Sequence, residues 1–278
     1  FGGFFTTMRD KELNSFESGS TLRFMIPLSI VKQNCVTFTG TKRLMERGLL
    51  VYEEIFDNQG IKYSKTDSSI KISGTLKPGY FKVLGNVSSQ FISGLLFALP
   101  LLDGDSKIII TTKLESKNYI DITLDCLKQA AIQIDNIDNT YEIKGNQQYL
   151  SGNYTVEGDY SNAAFLDAFN YFGGSVELIG LNENSYQGDK VYQEYFKLLS
   201  DSYQTIDIGN AIDLGPILFA FAAMKNGGKF INTSRLKIKE SDRIQAVDAE
   251  IQKFGAKIAD FESFVTIDKQ MLTNPKNT

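Results

Sequence analysis

Ser18-Gly19-Ser20-Thr21-Leu22-Arg23-Phe24-Met25-Ile26-Pro27-Leu28-Ser29-Ile30 opens on small polar residues that suit a helix start and continues as an apolar, helix-like run over 22–30. Val36-Thr37-Phe38-Thr39 then alternates as a strand. Residues 45–56 return to helical spacing through Leu49, Leu50, Tyr52 and Ile55, and 61–72 read as a pair of strands.

The same phrase recurs downstream. A second copy opens at Ser88-Ser89-Gln90, with a helix over 91–101, a turn at Asp103-Gly104, a strand over 107–112, a helix over 120–131 and strands over 132–137 and 141–144. A third opens at Gly158-Asp159-Tyr160-Ser161, with a helix over 163–171, a strand over 175–179 and a helix over 192–199. The fourth opens at Asp213, with helices over 214–225 and 242–254 and strands over 229–232 and 264–267. Four copies of a βαβαββ-like unit of roughly 50–70 residues favour an α/β repeat architecture over one doubly wound sheet. The repeat puts a domain boundary between copies two and three, giving domains 1–155 and 156–278.

The chain has 278 residues, 42% of them hydrophobic, with 29 Lys and Arg against 33 Asp and Glu for a net charge of −4. That length can bury two medium cores, and the charge gives no basic footprint for general nucleic-acid binding, so no nucleic-acid partner is expected. The absence of histidine excludes Ser-His-Asp and Cys-His catalysis and every His-containing metal site. Carboxylates, Lys, Arg, hydroxyls and backbone amides are left to carry any chemistry. Cys35 and Cys126 have neither zinc-site nor disulfide-framework spacing, which points to a reducing cytoplasm and no metal. No apolar run approaches the roughly 18 residues of a membrane helix. The start, Phe1-Gly2-Gly3-Phe4-Phe5 leading to Arg9-Asp10-Lys11-Glu12, lacks a secretory-signal pattern, and its first residue suggests a processed or cut-down chain.

Several local clusters each have two readings. Helix starts rich in Ser, Gly, Asp or Asn suit ordinary capping, and equally an anion held by helix-start amides. At Ser18-Gly19-Ser20-Thr21, Gly19 permits close approach and Arg23 adds a fork for carboxylate or phosphate; Ser88-Ser89-Gln90 offers the same choice. In Lys42-Arg43-Leu44-Met45-Glu46-Arg47, a helix would set Arg43 and Arg47 on one face, either around an anion or as a solvated face neutralised by Glu46. Lys239-Glu240-Ser241-Asp242-Arg243 packs four ionisable groups into five residues, as a surface ion-pair network or as acid/base groups beside anion clamps. Asp213, entering the apolar run 214–219, is either an N-cap or a carboxylate tuned by low-dielectric surroundings.

Together and in order, seven phrases resemble the 5-enolpyruvylshikimate-3-phosphate synthase family. They are Glu17-Ser18-Gly19-Ser20-Thr21-Leu22-Arg23-Phe24, Lys42-Arg43-Leu44-Met45-Glu46-Arg47, Gly85-Asn86-Val87-Ser88-Ser89-Gln90-Phe91, Ser116-Lys117-Asn118-Tyr119-Ile120-Asp121-Ile122-Thr123-Leu124, Glu157-Gly158-Asp159-Tyr160-Ser161, Asp213-Leu214 and Lys239-Glu240-Ser241-Asp242-Arg243. The resemblance implies a two-domain inverse α/β barrel, three βαβαββ units per domain, with helix N-termini aimed at the cleft between domains. It implies transfer of the enolpyruvyl group of phosphoenolpyruvate to the 5-hydroxyl of shikimate 3-phosphate, through a tetrahedral intermediate that eliminates phosphate, on the shikimate route to aromatic amino acids. Ser88, Ser89, Gln90, Ser116 and Tyr119 would hold shikimate 3-phosphate, with Asp213 and Lys239 assisting. Gly19, Arg47, Gln90 and Arg243 would hold phosphoenolpyruvate. Asp213 beside the 5-hydroxyl and Glu240 near the methylene would move protons, with Lys239 beside them. Ser20, Arg23, Arg43 and Asp242 would have structural or secondary roles. No cofactor or metal is implied, and a cytoplasmic monomer acting on small anions is the default expectation.

The match departs from the family pattern at both ends. A Lys-Ser segment with a downstream Arg has no counterpart in residues 1–16, and an Asp-His-Arg phrase followed by a Lys does not occur before Thr278. Two of six units are therefore expected to be missing or incomplete, and the chain alone is expected to bind shikimate 3-phosphate weakly without turnover. Glu17 and Arg235 stand where many members carry Asn. A sister transferase acting on UDP-N-acetylglucosamine shares the fold but places a Cys on the loop before the residue matching Arg47; Cys35 lies too far upstream for that, and Lys42-Arg43 occupies the loop. A non-catalytic anion-binding fragment is the remaining alternative.

Overall fold

The computed structural model describes residues 9–32 and 34–269; the opening Phe1-Gly2-Gly3-Phe4-Phe5 and the end at Thr278 lie outside the described residues. The chain divides into two compact units, Phe1–Asn153 and Tyr154–Thr278, each with its own buried hydrophobic cluster.

The first unit uses one sheet plan twice. β1 (Arg9–Asn14) and β2 (Asn34–Thr39) pair in parallel across α1 (Gly19–Ser29). α2 (Lys42–Glu46) and α3 (Leu50–Gln59) lead to the antiparallel pair β3 (Lys62–Lys65) and β4 (Ser69–Gly74), completing the order β1-β2-β4-β3. β5 (Tyr80–Val83), α4 (Ser89–Ala98), β6 (Ser106–Ile110), α5 (Lys117–Gln129), β7 (Ile134–Ile137) and β8 (Thr140–Ile143) repeat it as β5-β6-β8-β7. In the second unit, α6 (Tyr160–Tyr171) and α7 (Tyr192–Asp201) come first. β9 (Gln204–Asp207), α8 (Gly215–Met224), β10 (Gly227–Ile231), α9 (Arg243–Gln252), β11 (Ile258–Asp260) and β12 (Phe264–Asp268) then form a third such sheet, β9-β10-β12-β11. In every sheet the first two strands are parallel and the other pairings antiparallel. Parallel neighbours need a crossover, so each first strand is followed by a helix, and α1, α4 and α8 begin at equivalent places.

Three complete βαβαββ units thus stand among the described residues, where the sequence reading counts four copies. The strand predicted over 175–179 does not form. Its exposure still alternates, but the Asn170 side chain takes both backbone groups of Val176: Oδ1 accepts from the N–H at 2.7 Å and Nδ2 donates to the carbonyl at 2.9 Å. The helix predicted over 45–56 is two helices, because Gly48 turns the chain with φ 78° and Arg47 is the C-cap of α2. The break falls after Arg47, whose N–H still donates to the Arg43 carbonyl at 3.2 Å, so Arg43 and Arg47 remain one helical turn apart on α2.

In the first core, α1 and α4 pack side by side through fully buried Leu22, Ile26, Ile92 and Leu95, each side chain contributing about 1.5–3 kcal/mol on burial. In the second, Phe196 and Phe221 stack with centroids 4.1 Å apart, and Tyr171 meets both edge-on at 5.5 and 5.3 Å, joining α6, α7 and α8.

Candidate active site

In the first unit, two helix starts are tied together by one glutamine. Ser18 caps α1, accepting from the Thr21 N–H at 3.1 Å, and Ser88 caps α4, accepting from the Gln90 N–H at 3.3 Å. Gln90 Oε1 accepts from Arg23 Nη1 at 2.7 Å while Gln90 Nε2 donates to Ser20 Oγ at 2.9 Å. The Arg23 guanidinium is buried over the Phe91 ring, 4.9 Å from its centroid, with Nη2 3.4 Å from the Gly48 carbonyl. A methyl added at Gly19 would lie 2.6 Å from Arg23 Nη1, 3.0 Å from Arg47 Nη1 and 3.1 Å from Gln90 Oε1. Two guanidinium groups therefore converge on the positive end of α1, a concentration of like charge that an anion relieves. Arg43 and Glu17 are exposed.

The neighbouring start of α5 carries Ser116 and Tyr119. Ser116 is buried with left-handed backbone, φ 55° and ψ 40°, and its side chain does not cap the helix; this conformation costs about 1–2 kcal/mol outside glycine and gathers at functional positions. Its carbonyl accepts from the Tyr119 N–H at 3.2 Å. α5 is fastened to α4 by Ser93 and Thr123, whose hydroxyls meet at 2.7 Å. Thr123 gives its one proton to the Tyr119 carbonyl at 3.0 Å, so Ser93 is the donor in that pair.

The second unit gathers the remaining sequence-assigned groups. Asp213 lies in the 3-10 turn Ile212–Leu214 and is not the cap of α8, which begins after Leu214 without a side-chain cap. Its Oδ1 accepts from Arg243 Nη1 at 2.5 Å and lies 3.3 Å from Lys239 Nζ, while Arg243 Nη2 reaches Glu240 Oε2 at 3.3 Å. One guanidinium thus joins both carboxylates. Asp242 caps α9, accepting from the Ile244 and Gln245 N–H groups at 3.1 Å each, which fixes Arg243 as the first helical residue. Arg235 donates to the Gly209 carbonyl at 2.5 Å, tying the loop after β10 to the loop after β9.

The phrase at Glu157–Ser161 is an anchor. Asp159 caps α6, and the Ser161 hydroxyl donates to buried Asp189. Glu157 accepts from the Ser185 hydroxyl, from Gln187 at 2.8 Å and from Asn182 at 2.9 Å. Burial pushes the Glu157 carboxyl up, but these donors and the Lys190 charge outweigh it and hold the group below its ordinary value. The sequence reading misses Tyr52, Ser93 and Thr123, which brace the helix starts from behind. Among the described residues no three His, Cys, Asp or Glu side chains gather where they could hold a metal ion, and no helix is long and apolar enough to cross a membrane.

The chain is similar to known proteins. The family model of EPSP synthase (3-phosphoshikimate 1-carboxyvinyltransferase) matches residues 2–275. The 3-phosphoshikimate 1-carboxyvinyltransferase of Clostridium novyi is 43% identical over 283 residues, covering 94% of this chain and 65% of the relative. That of Clostridium perfringens is 44% identical over 281 residues, covering 93% and 66%. The chain therefore spans just under two thirds of the length of these relatives. The solved structure of EPSP synthase from Acinetobacter baumannii superposes with a TM-score of 0.69 at 19% identity, over 94% of this chain and 65% of that one, and so shares the α/β fold of repeated units. With a family match across residues 2–275 and relatives above 40% identity over more than nine-tenths of its length, the chain belongs to the EPSP synthase (3-phosphoshikimate 1-carboxyvinyltransferase) family.

Proposed function

We propose that the protein containing this chain transfers the enolpyruvyl group from phosphoenolpyruvate to the 5-hydroxyl of shikimate 3-phosphate and releases phosphate. The observation that carries the reading is Arg243 shared by Asp213 and Glu240, with Lys239 on the same Asp213 oxygen: two carboxylates able to move protons stand beside cations suited to an anionic substrate. In the addition step the 5-hydroxyl oxygen bonds to the phosphate-bearing carbon, Asp213 takes the hydroxyl proton, and Glu240 delivers a proton to the methylene carbon. In the elimination step the new methyl group returns a proton to Glu240, the bond to phosphate breaks as the proton held by Asp213 passes to the departing phosphate, and Lys239 offsets the remaining charge. Ser88, Ser89, Gln90, Ser116 and Tyr119 hold shikimate 3-phosphate; Gly19, Arg47, Gln90 and Arg243 hold phosphoenolpyruvate. The partners are small anions, the chain acts as a monomer, and its setting is the cytoplasm.

The test is phosphate release by the full-length protein. Release is expected only with both substrates present, and not when UDP-N-acetylglucosamine replaces shikimate 3-phosphate. Absence of release with the first pair overturns the reading. The 278-residue chain by itself is expected to bind shikimate 3-phosphate weakly and release no phosphate.

A further inference from the structure

Pro27 lies inside α1, and proline has no N–H for the carbonyl four residues earlier. That carbonyl belongs to Arg23. Tyr52, a buried residue of α3, supplies the missing donor: its hydroxyl gives a hydrogen bond to the Arg23 carbonyl at 2.6 Å and lies 3.2 Å from the Phe91 carbonyl on α4. Gly94 makes the room, since a Cβ there would overlap the Tyr52 hydroxyl and the Arg23 carbonyl oxygen. Burial drives the Tyr52 hydroxyl well above its ordinary pKa against the pull of the Arg23 charge, so it keeps its proton.

We propose that Tyr52 is a positioning residue that sets the spacing of α1 and α4 and so holds Gly19, Arg23 and Gln90 where phosphoenolpyruvate is received. The two substrates depend on different helix pairs. The phosphoenolpyruvate groups Gly19 and Gln90 straddle α1 and α4, which Tyr52 joins. The shikimate 3-phosphate groups Ser88, Ser89, Gln90, Ser116 and Tyr119 straddle α4 and α5, which Ser93 and Thr123 join. Two separate fasteners therefore serve two helix pairs that share only α4 and, among the assigned groups, Gln90.

The inference rests on the substrate assignment proposed above, and its test separates the two. In the full-length protein, Tyr52→Phe is expected to raise the KM for phosphoenolpyruvate about five- to tenfold, with kcat and the KM for shikimate 3-phosphate within about twofold. Ser93→Ala is expected to do the reverse. Equal shifts in both Michaelis constants, or none, overturn the proposal. If the wild-type protein has no activity with these substrates, the assignment fails and melting decides the role of Tyr52. Tyr52→Phe is expected to lower the midpoint by about 3–6 °C. In a Pro27→Ala background, where residue 27 has an N–H for the Arg23 carbonyl, the loss is expected to be less than half as large. Equal losses in the two backgrounds overturn it.

Discussion

Arg243 meets Asp213 at 2.5 Å while its other terminal nitrogen reaches Glu240, so the cation suited to an anionic substrate is neutralised by the carboxylates that would move protons. On the proposed assignment, an incoming phosphate or carboxylate would compete with Asp213 for the guanidinium fork and so loosen that carboxylate.

Asp213→Asn and Glu240→Gln are each expected to lower turnover of the full-length protein by about two orders of magnitude or more. Because Arg243 loses a competitor in Asp213→Asn, phosphoenolpyruvate binding to that variant is expected to be retained or strengthened. Single-turnover phosphate release and calorimetric titration check the two halves; near-normal turnover at saturation sinks the assigned role.

Arg47→Lys and Arg243→Lys keep the charge but lose the two-pronged fork, and Gly19→Ala drives a methyl into the position 2.6 Å from Arg23 Nη1. All three are expected to raise the KM for phosphoenolpyruvate while leaving that for shikimate 3-phosphate nearly constant. Steady-state kinetics with each substrate varied in turn decides, and a parallel rise in both would point to disturbed folding.

Ser116→Gly is expected to separate stability from binding. It relieves the left-handed backbone at φ 55°, raising the melting midpoint by about 2–4 °C, and removes the hydroxyl assigned to shikimate 3-phosphate, weakening that substrate about tenfold. A more stable variant with unchanged affinity would remove Ser116 from the site.

The Glu157 carboxyl is held below its ordinary value of 4.5 in the folded protein. A depressed folded-state pKa contributes stability that is present above the unfolded value and lost as the pH falls through the folded one. Melting followed from pH 6 downward is expected to show a loss setting in below about 4.5 that Glu157→Gln does not share. Identical acid profiles for the two proteins would show that the Asn182, Ser185 and Gln187 contacts do not carry it.

The helix starts are legible in the sequence because capping and small-residue phrases are local signals; Ser18, Ser88, Asp159 and Asp242 all cap the helices they precede. The joining of Gly19, Arg23, Arg47 and Gln90 is legible only through resemblance, since no periodicity reports a hydrogen bond spanning 67 residues. β1, β5, β9 and β11 escape notice. They have three to six residues, too few to alternate convincingly, and β1 is largely polar and takes its place from pairing with β2. Tyr52 is hidden for another reason: its spacing marks it as core, and its hydroxyl gains a role only because Pro27 stands four residues after Arg23. Of the two readings of Asp213, cap or carboxylate tuned by low-dielectric surroundings, the cap fails because α8 begins without a side-chain cap, and the pairing with Lys239 and Arg243 is foreseen by neither, since those residues approach it only in the folded chain.

The Asn170 amide that occupies both backbone groups of Val176 also bears on the chain's company in the cell. A ribbon with exposed Ile179 and unoccupied peptide groups templates the addition of foreign polypeptide. Asn170 closes that rung from within and leaves less for another chain to pair with, so replacing it with alanine is expected to promote aggregation before it unfolds the unit.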